Sequence, residues 1–352
     1  MRQRLKDIAA AFRWQAKYCR NFKAPFTAAI IDAAAQDIED GGPLGDLLND
    51  WSGDPLAGAL SLRVAAAAQY LARRAADGAL VDLYRRMPSD PEPLALASLI
   101  SQIIAENRSL FKEFTDKPVQ TNEVRRSAGL LGGFLEIGQR LAMPLDLYEI
   151  GSSGGLLMGW DRFRYDFGEF SWGDPGAPAL MAEWRGPRPD WPESVSVASR
   201  RGCDINPVDL DDRGAAERAA CYFWAEQEDR RARFLSAVEA TRGIGATVEK
   251  ADAATWLRAS LKSRPERKAA VIFQSTMMQY LTPDERTTLR NTIADIATTA
   301  TPADPIAHLR FEPDPIDLSQ FAVDLTMWPG GDRRRLAYAH PHAEWVEWLG
   351  AD

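Results

Sequence analysis

The spacing of apolar residues changes character at Met143-Pro144, and this limits the architectures open to the chain. Before that point apolar residues recur at helical spacing over residues 5–20, 25–38, 55–76, 93–114 and 120–141, with almost no strand signal. Leu94, Leu96, Leu99, Ile100, Ile103 and Ile104 mark one such face, opened by Pro91 and Pro93. Gly41-Gly42-Pro43 and residues 88–93 read as turns. After that point short apolar runs at 145–150, 195–199, 246–250, 269–273 and 306–311 alternate with helical segments such as 215–241 and 284–297. Such alternation predicts an α/β fold, a parallel sheet with helices on both faces. Residues 321–328 and 334–339, joined by Pro329-Gly330-Gly331, predict a hairpin added to that sheet. The expected organisation is an all-α N-terminal domain over 1–142 and a sheet domain over 143–352.

At 352 residues, two domains are the natural division. A net charge of −8 argues against general nucleic-acid binding, which needs a basic surface. The basic start is not a secretory signal, because Arg13 and Lys17 interrupt any apolar stretch behind it. No run approaches the roughly 20 apolar residues of a membrane span. Cys19, Cys203 and Cys221 are scattered, with neither metal-ligand spacing nor an even disulfide set. A cytoplasmic protein without membrane attachment is expected. Residues 160–194 break the alternation with Trp160, Phe163, Tyr165, Phe167, Phe170, Trp172, Trp184 and Trp191. This insertion has two readings, a cover over a sheet edge or a lid that walls an acceptor site.

The first strand runs into Gly151-Ser152-Ser153-Gly154-Gly155. No Lys follows, so it is not a phosphate loop of the G-x-x-x-x-G-K-[ST] type. The glycine spacing also departs from the dinucleotide fingerprint. It does spell G-x-S-x-G, a hydrolase elbow, with Ser153 followed in chain order by Asp324, His340 and His342. That fold needs strands ahead of the elbow, whereas here helices precede it. The reading that uses more of the neighbouring residues is a site for S-adenosylmethionine. A glycine turn lets backbone approach a ligand closely. Acids at successive strand ends, Glu149, Asp204 and Asp252, then meet its polar groups at the carboxyl edge, where open parallel sheets bind ligands. Ile205 and Ala253 flank two of these acids, and Gln274 and Ser275 line the mouth beside the reactive methyl. Each lone Asp has a plainer alternative as a helix N-cap. Ahead of the strand, Asn122 and Arg125 are expected to fold over the turn, with Arg125 holding the donor carboxylate. The alternative is a helix start with Thr121 as N-cap and Glu123 favouring the helix dipole.

These residues resemble the class I S-adenosylmethionine-dependent methyltransferases, with E-x-G-x-x-G-G in place of E-x-G-x-G-x-G. The chain more closely resembles uncharacterised bacterial proteins grouped as domain of unknown function 2332. The carriers are Gln120-Thr121-Asn122-Glu123-Val124-Arg125, residues 147–156, Arg200-Arg201-Gly202-Cys203-Asp204-Ile205-Asn206-Pro207 and Pro341-His342-Ala343-Glu344-Trp345. The resemblance implies a Rossmann-like, class I methyltransferase-like mixed sheet and methyl transfer to an O or N nucleophile. The acceptor is a small molecule or a protein, with a small molecule favoured. A ligand-binding protein without catalysis is the alternative. A base is needed only if the acceptor carries a proton at neutral pH. The candidates are His342, His340, Glu312 and Tyr280. No third ligand is evident beside His340-x-His342, so no metal is expected.

Overall fold

A computed structural model of the chain describes residues 2–120, 122–264 and 267–350. The first helices are α1 (Arg2–Asn21), α2 (Pro25–Glu39), α3 (Pro43–Leu48), α4 (Leu60–Arg74), α5 (Ala79–Arg86), α6 (Pro93–Glu106) and α7 (Arg108–Asp116). Then come α8 (Arg126–Leu141), β1 (Leu145–Ile150), β2 (Arg164–Asp166), β3 (Ser171–Trp172), β4 (Ala179–Met181), β5 (Glu183–Arg185) and β6 (Val197–Asp204). The chain continues through α9 (Arg213–Ala220), α10 (Glu228–Thr241), β7 (Thr247–Lys250), α11 (Ala253–Ser260), β8 (Ala269–Ser275) and α12 (Pro283–Ala297). It ends with β9 (Ile306–Pro313), β10 (Phe321–Trp328), β11 (Arg333–Ala339) and β12 (Trp345–Trp348). Among the described residues no helix is long and apolar enough to cross a membrane.

Two compact units result, Met1–Thr121 with Asp212–Leu235, and Asn122–Asp211 with Ser236–Asp352. This corrects the expected division at residue 142 in two ways. Residues 212–235 fold with the helices because their polar groups complete α2. The residue before α2 is Ala24, which has no side-chain cap to offer. Glu226, 200 residues away, accepts the free N–H groups of Phe26 (2.7 Å) and Thr27 (3.0 Å). A carboxylate at a helix N-terminus also meets the positive end of the helix dipole. Thr27 Oγ1 in turn accepts from Ala225 N, and Gln69 donates to the carbonyl of Phe223. These bonds use backbone groups of the stretch between α9 and α10, where a single helix over 215–241 was expected. The expected helix over 93–114 also breaks, at Asn107, whose side chain donates back to the Ile103 carbonyl.

The second correction concerns α8, which belongs with the sheet. It begins at Arg126; Thr121, the expected N-cap, lies outside the described residues. Its glycines make a flat face. A Cβ on Gly133 would lie 2.3 Å from Leu309, one on Gly129 2.7 Å from the Phe311 ring, and one on Gly132 2.3 Å from Trp348. Leu309 and Phe311 are on β9 and Trp348 on β12, so only glycine permits this approach.

The described residues of the second unit form a nine-stranded mixed sheet in the order β5-β12-β11-β10-β9-β8-β1-β6-β7. From β9 to β7 the strands are parallel, and β10, β11 and β12 continue antiparallel from β9. The protein is thus α/β, with a large mixed sheet and a helical N-terminal region. Residues Phe321–Trp328 and Arg333–Ala339 pair as the expected hairpin. All of β1 is buried, as befits a parallel strand covered on both faces. Tyr148, Ile150, Ala270 and Ile272 pack with Trp256 and Leu257 of α11 and with Leu289 and Ile293 of α12. Alternation sends Leu147, Glu149 and Phe273 to the opposite face, where Phe134 of α8 meets Phe273 edge-on.

The aromatic insertion forms a small sheet, β3-β2-β4, and then sends β5 to pair with β12 at the margin of the main sheet. Trp184, Trp191 and Trp348 pack there, with ring centroids 5.2 to 5.9 Å apart. It covers an edge that would otherwise present unpaired backbone.

Gly132→Ala tests the glycine face of α8. Helix propensity alone predicts a gain of about 1 kcal/mol. Overpacking against Trp348 predicts a loss of about 1–3 kcal/mol. We expect the loss, read as a lower urea midpoint; a higher midpoint would refute the close packing.

Candidate functional site

The turn after β1 is closed by its own hydrogen bonds. Gly151 enters it at φ +69°, a left-handed conformation that glycine adopts without strain. The N–H groups of Gly151 and Ser152 both donate to the Cys203 carbonyl of β6, at 2.9 and 3.0 Å. Gly155 N donates to the Ser152 carbonyl at 2.7 Å. Asp204 ends β6 and braces the turn from the side. One of its oxygens accepts from Ser153 N (2.9 Å), the other from Asn206 N (2.8 Å). Buried Asn122 donates to the Ser152 carbonyl at 3.3 Å. A cavity of about 510 Å³ opens beside the turn, walled by Gly154, Gly155, Leu210, Thr241, Ile244 and Val248. That volume lies within the range of small-ligand pockets.

Glu149 sits under this turn, opposite Gly202 of β6 and Phe273 of β8. It is 2% exposed, and its Oε2 has no hydrogen-bond partner among the described residues. Burial, helped by the charge of Asp204, raises its carboxyl well above the ordinary range. It lies where the strand order reverses, with β6 and β7 on one side of β1 and β8 and β9 on the other. Open α/β sheets place their ligands there, outside the carboxyl ends of the strands.

A second polar group occupies the ends of β8 and β9. Glu312 Oε1 accepts from Gln274 Nε2 (2.8 Å) and from the N–H groups of Met277 (3.1 Å) and Met278 (3.2 Å). Its Oε2 is buried without a partner among the described residues, and burial raises its carboxyl despite those three bonds. Gln274 Oε1 faces His308 at 3.2 Å. Burial, with Arg310 and Arg333 nearby, pulls that imidazole down to about 3, so it stays neutral. His308 drew no notice in the sequence, where it is a lone polar residue within an apolar run.

The other expected residues fall in separate places. Asp252 is exposed and caps α11, accepting from Thr255 N at 2.9 Å, and Ala253 is the first residue of that helix. Ser275 ends β8, its hydroxyl 3.5 Å from that of Thr276. Ile205 and Tyr280 are 60% and 78% exposed on the turns after β6 and β8. Arg125 does not reach the glycine turn. Its Nε donates to the His342 carbonyl (2.9 Å) and its Nη2 to Glu344 (2.8 Å), while Arg126 holds the Pro341 carbonyl. The turn over residues 340–344 gathers His340, His342 and Glu344, whose ligand-type atoms all lie within 4.8 Å of one another. Glu344 is the third group not evident in the sequence reading; its spacing of two residues beyond His342 was the available signal.

The acid available to a Ser153 nucleophile is committed elsewhere. Asp324 is 5% exposed and accepts from Arg310 (3.2 Å), Arg333 (2.8 Å) and Arg335 (2.7 Å). It stands on β10, with β8 and β9 between it and β1.

A family model described as an uncharacterized protein conserved in bacteria, DUF2332, matches residues 9–348. The chain belongs to the DUF2332 family. Neither the curated proteins nor the solved structures give a match. The DUF2332 match begins within α1 and ends with β12, so it takes in both compact units.

The raised carboxyl of Glu149 has a consequence for stability. Above about pH 4 the unfolded chain releases this proton while the folded chain keeps it, so the group costs stability as pH rises toward its folded value. Glu149→Gln removes that cost. Its stability relative to the wild type is expected to improve as pH rises above about 4 in urea titrations. A difference that is flat with pH would show that Glu149 ionises normally.

Proposed function

We propose that the chain is a Rossmann-like, class I methyltransferase-like protein that binds S-adenosylmethionine at the carboxyl edge of β1 and β6. We further propose that it methylates an O or N nucleophile of a small molecule or protein. The observation that carries this reading is the buried oxygen of Glu149 that has no partner among the described residues, at the point of strand reversal. A buried acceptor without a donor costs about 1–3 kcal/mol, and a ligand ammonium or hydroxyl group relieves it. The parallel order β7-β6-β1-β8-β9, with β1 first in the chain, supports the same reading. So does the place of Asp204, a carboxylate at the end of β6 directly beside the turn.

The donor supplies a methyl group on a positively charged sulfur. The chain's own residues hold and align. Glu149 would receive the cationic end of the ligand, since an adjacent positive charge favours its carboxylate. Asp204 would hold the sugar, and Gln274 stands at the mouth, held by Glu312 and His308. Glu312, with its raised carboxyl, takes the acceptor's proton if the acceptor carries one. Alignment and exclusion of water then supply most of the acceleration.

A ligand-binding protein without catalysis is the second reading. It is favoured by the closed glycine turn, whose N–H groups at Gly151, Ser152, Ser153 and Gly155 already have protein acceptors.

Calorimetry with S-adenosylmethionine and S-adenosylhomocysteine, in buffers of different ionisation enthalpy, separates these readings. Binding with proton release is expected, the release disappearing in Glu149→Gln, and Asp204→Asn weakening binding by about 1–3 kcal/mol. No heat with either compound rejects the proposal. Binding without methyl transfer in any acceptor screen selects the silent protein. Ser153→Ala is expected to bind as the wild type does; labelling of Ser153 by a fluorophosphonate would select the hydrolase instead.

A further inference from the structure

We propose that His340, His342 and Glu344 form a binding site for a divalent first-row transition-metal ion. The site is independent of the methyl-donor reading.

Two imidazoles and a carboxylate suit zinc, iron or cobalt, and three protein ligands leave positions open for water or substrate. The three groups come from one short turn at spacings of two residues, and their ligand-type atoms already lie within 4.8 Å of one another. Glu344 Oε2 is 4.0 Å from His340 Nε2. Bonds of about 2.0–2.2 Å around a tetrahedral ion bring neighbouring ligand atoms to roughly 3.3–3.5 Å. The side chains must therefore draw in by about an ångström. The Glu344 side chain, 55% exposed, has freedom for this.

The backbone beneath them is fixed. Ala343, fully buried at φ +51°, donates from its N–H to the His340 carbonyl (2.7 Å), and His340 N donates to the Trp345 carbonyl (3.1 Å). Arg125 and Arg126 hold the carbonyls of His342 and Pro341 from α8 and its approach. Arg125 also binds Glu344 through Oε1, leaving Oε2 toward His340. Partners of this kind orient metal ligands. One contact changes on loading. His342 N donates to His340 Nδ1 at 3.2 Å, which leaves the ring proton on Nε2. Metal capture at Nε2 moves that proton to Nδ1 and ends the contact.

The chain has three histidines, and the third, His308, faces Gln274 on β8. A metal at the proposed site therefore touches two of three imidazoles. The test uses full-length protein without a histidine tag, stripped with chelator. Titration with Co²⁺ is expected to give one equivalent and a visible ligand-field band, which Zn²⁺ removes in competition. His342→Asn and Glu344→Gln, with folding checked by circular dichroism, are each expected to weaken Co²⁺ at least tenfold. Absence of binding, or binding unchanged in both variants, overturns the proposal. If the variants fail to fold, proton spectra of the wild type decide. Zn²⁺ must move the ring resonances of His340 and His342 and leave that of His308; any other pattern overturns the site.

Discussion

The second unit depends on the burial of β1 from both faces. A strand that gives all six residues to the interior must be apolar or must carry polar groups that the fold satisfies. Tyr148 and Ile150 meet α11 and α12, and Leu147 lies on the α8 face. Glu149 breaks the pattern. Its carboxyl is held well above the usual carboxylate range, because a charge there would face both desolvation and Asp204. A buried acid whose Oε2 has no partner among the described residues carries a cost, and the cost falls where the order of the parallel strands reverses. That coincidence is stronger ground for function than the spelling of the glycine turn, which is consumed by bonds to Cys203, Asp204 and its own carbonyls.

Polar ties link the turns of the carboxyl edge. Asn122 reaches Ser152, and three residues later Arg125 and Arg126 reach the 340–344 turn. One short segment before α8 thus connects the turn after β1 to the turn after β11. On β9 and its neighbours, Asp324 accepts from three arginines while Asp314 takes another bond from Arg335. Around this edge the turns expose Ile205, Tyr280, Ile316 and Leu318, the last two at 94% and 76% on the β9–β10 turn. That turn is itself ordered, since Asp314 accepts from Ile316 N and Asp317 N.

The sequence was legible where a pattern is local. Leu145–Ile150 carries the continuous apolar signal of a strand buried on both faces, and β7, β8 and β9 fall where short apolar runs predict strands. The hairpin at Pro329-Gly330-Gly331 is equally local. Legibility failed where a partner is remote. Periodicity runs straight through residues 215–241, yet the helix breaks, because Glu226 and Ala225 bind α2 across 200 residues of chain. Helical spacing placed α8 with the helices, because spacing does not report what a glycine face packs against. Asp252 is the reverse case. A strand-end acid looks the same in sequence whether it meets a ligand or caps the next helix, and here it caps α11.

What the sequence determined by itself was the α/β class, the helical N-terminal region, the strands β1, β7, β8 and β9 with the hairpin after them, and the residue types at the carboxyl edge, because periodicity and turn chemistry act over a few residues. Tertiary structure alone decided the division into units, the raised carboxyl of Glu149, the commitment of Arg125 and Asp324, and the meeting of Glu344 with two histidines. The reason is physical. Hydrogen bonding and desolvation act through space between groups whose distance along the chain carries no signal, and they set the charge and the free valence of each side chain at the site.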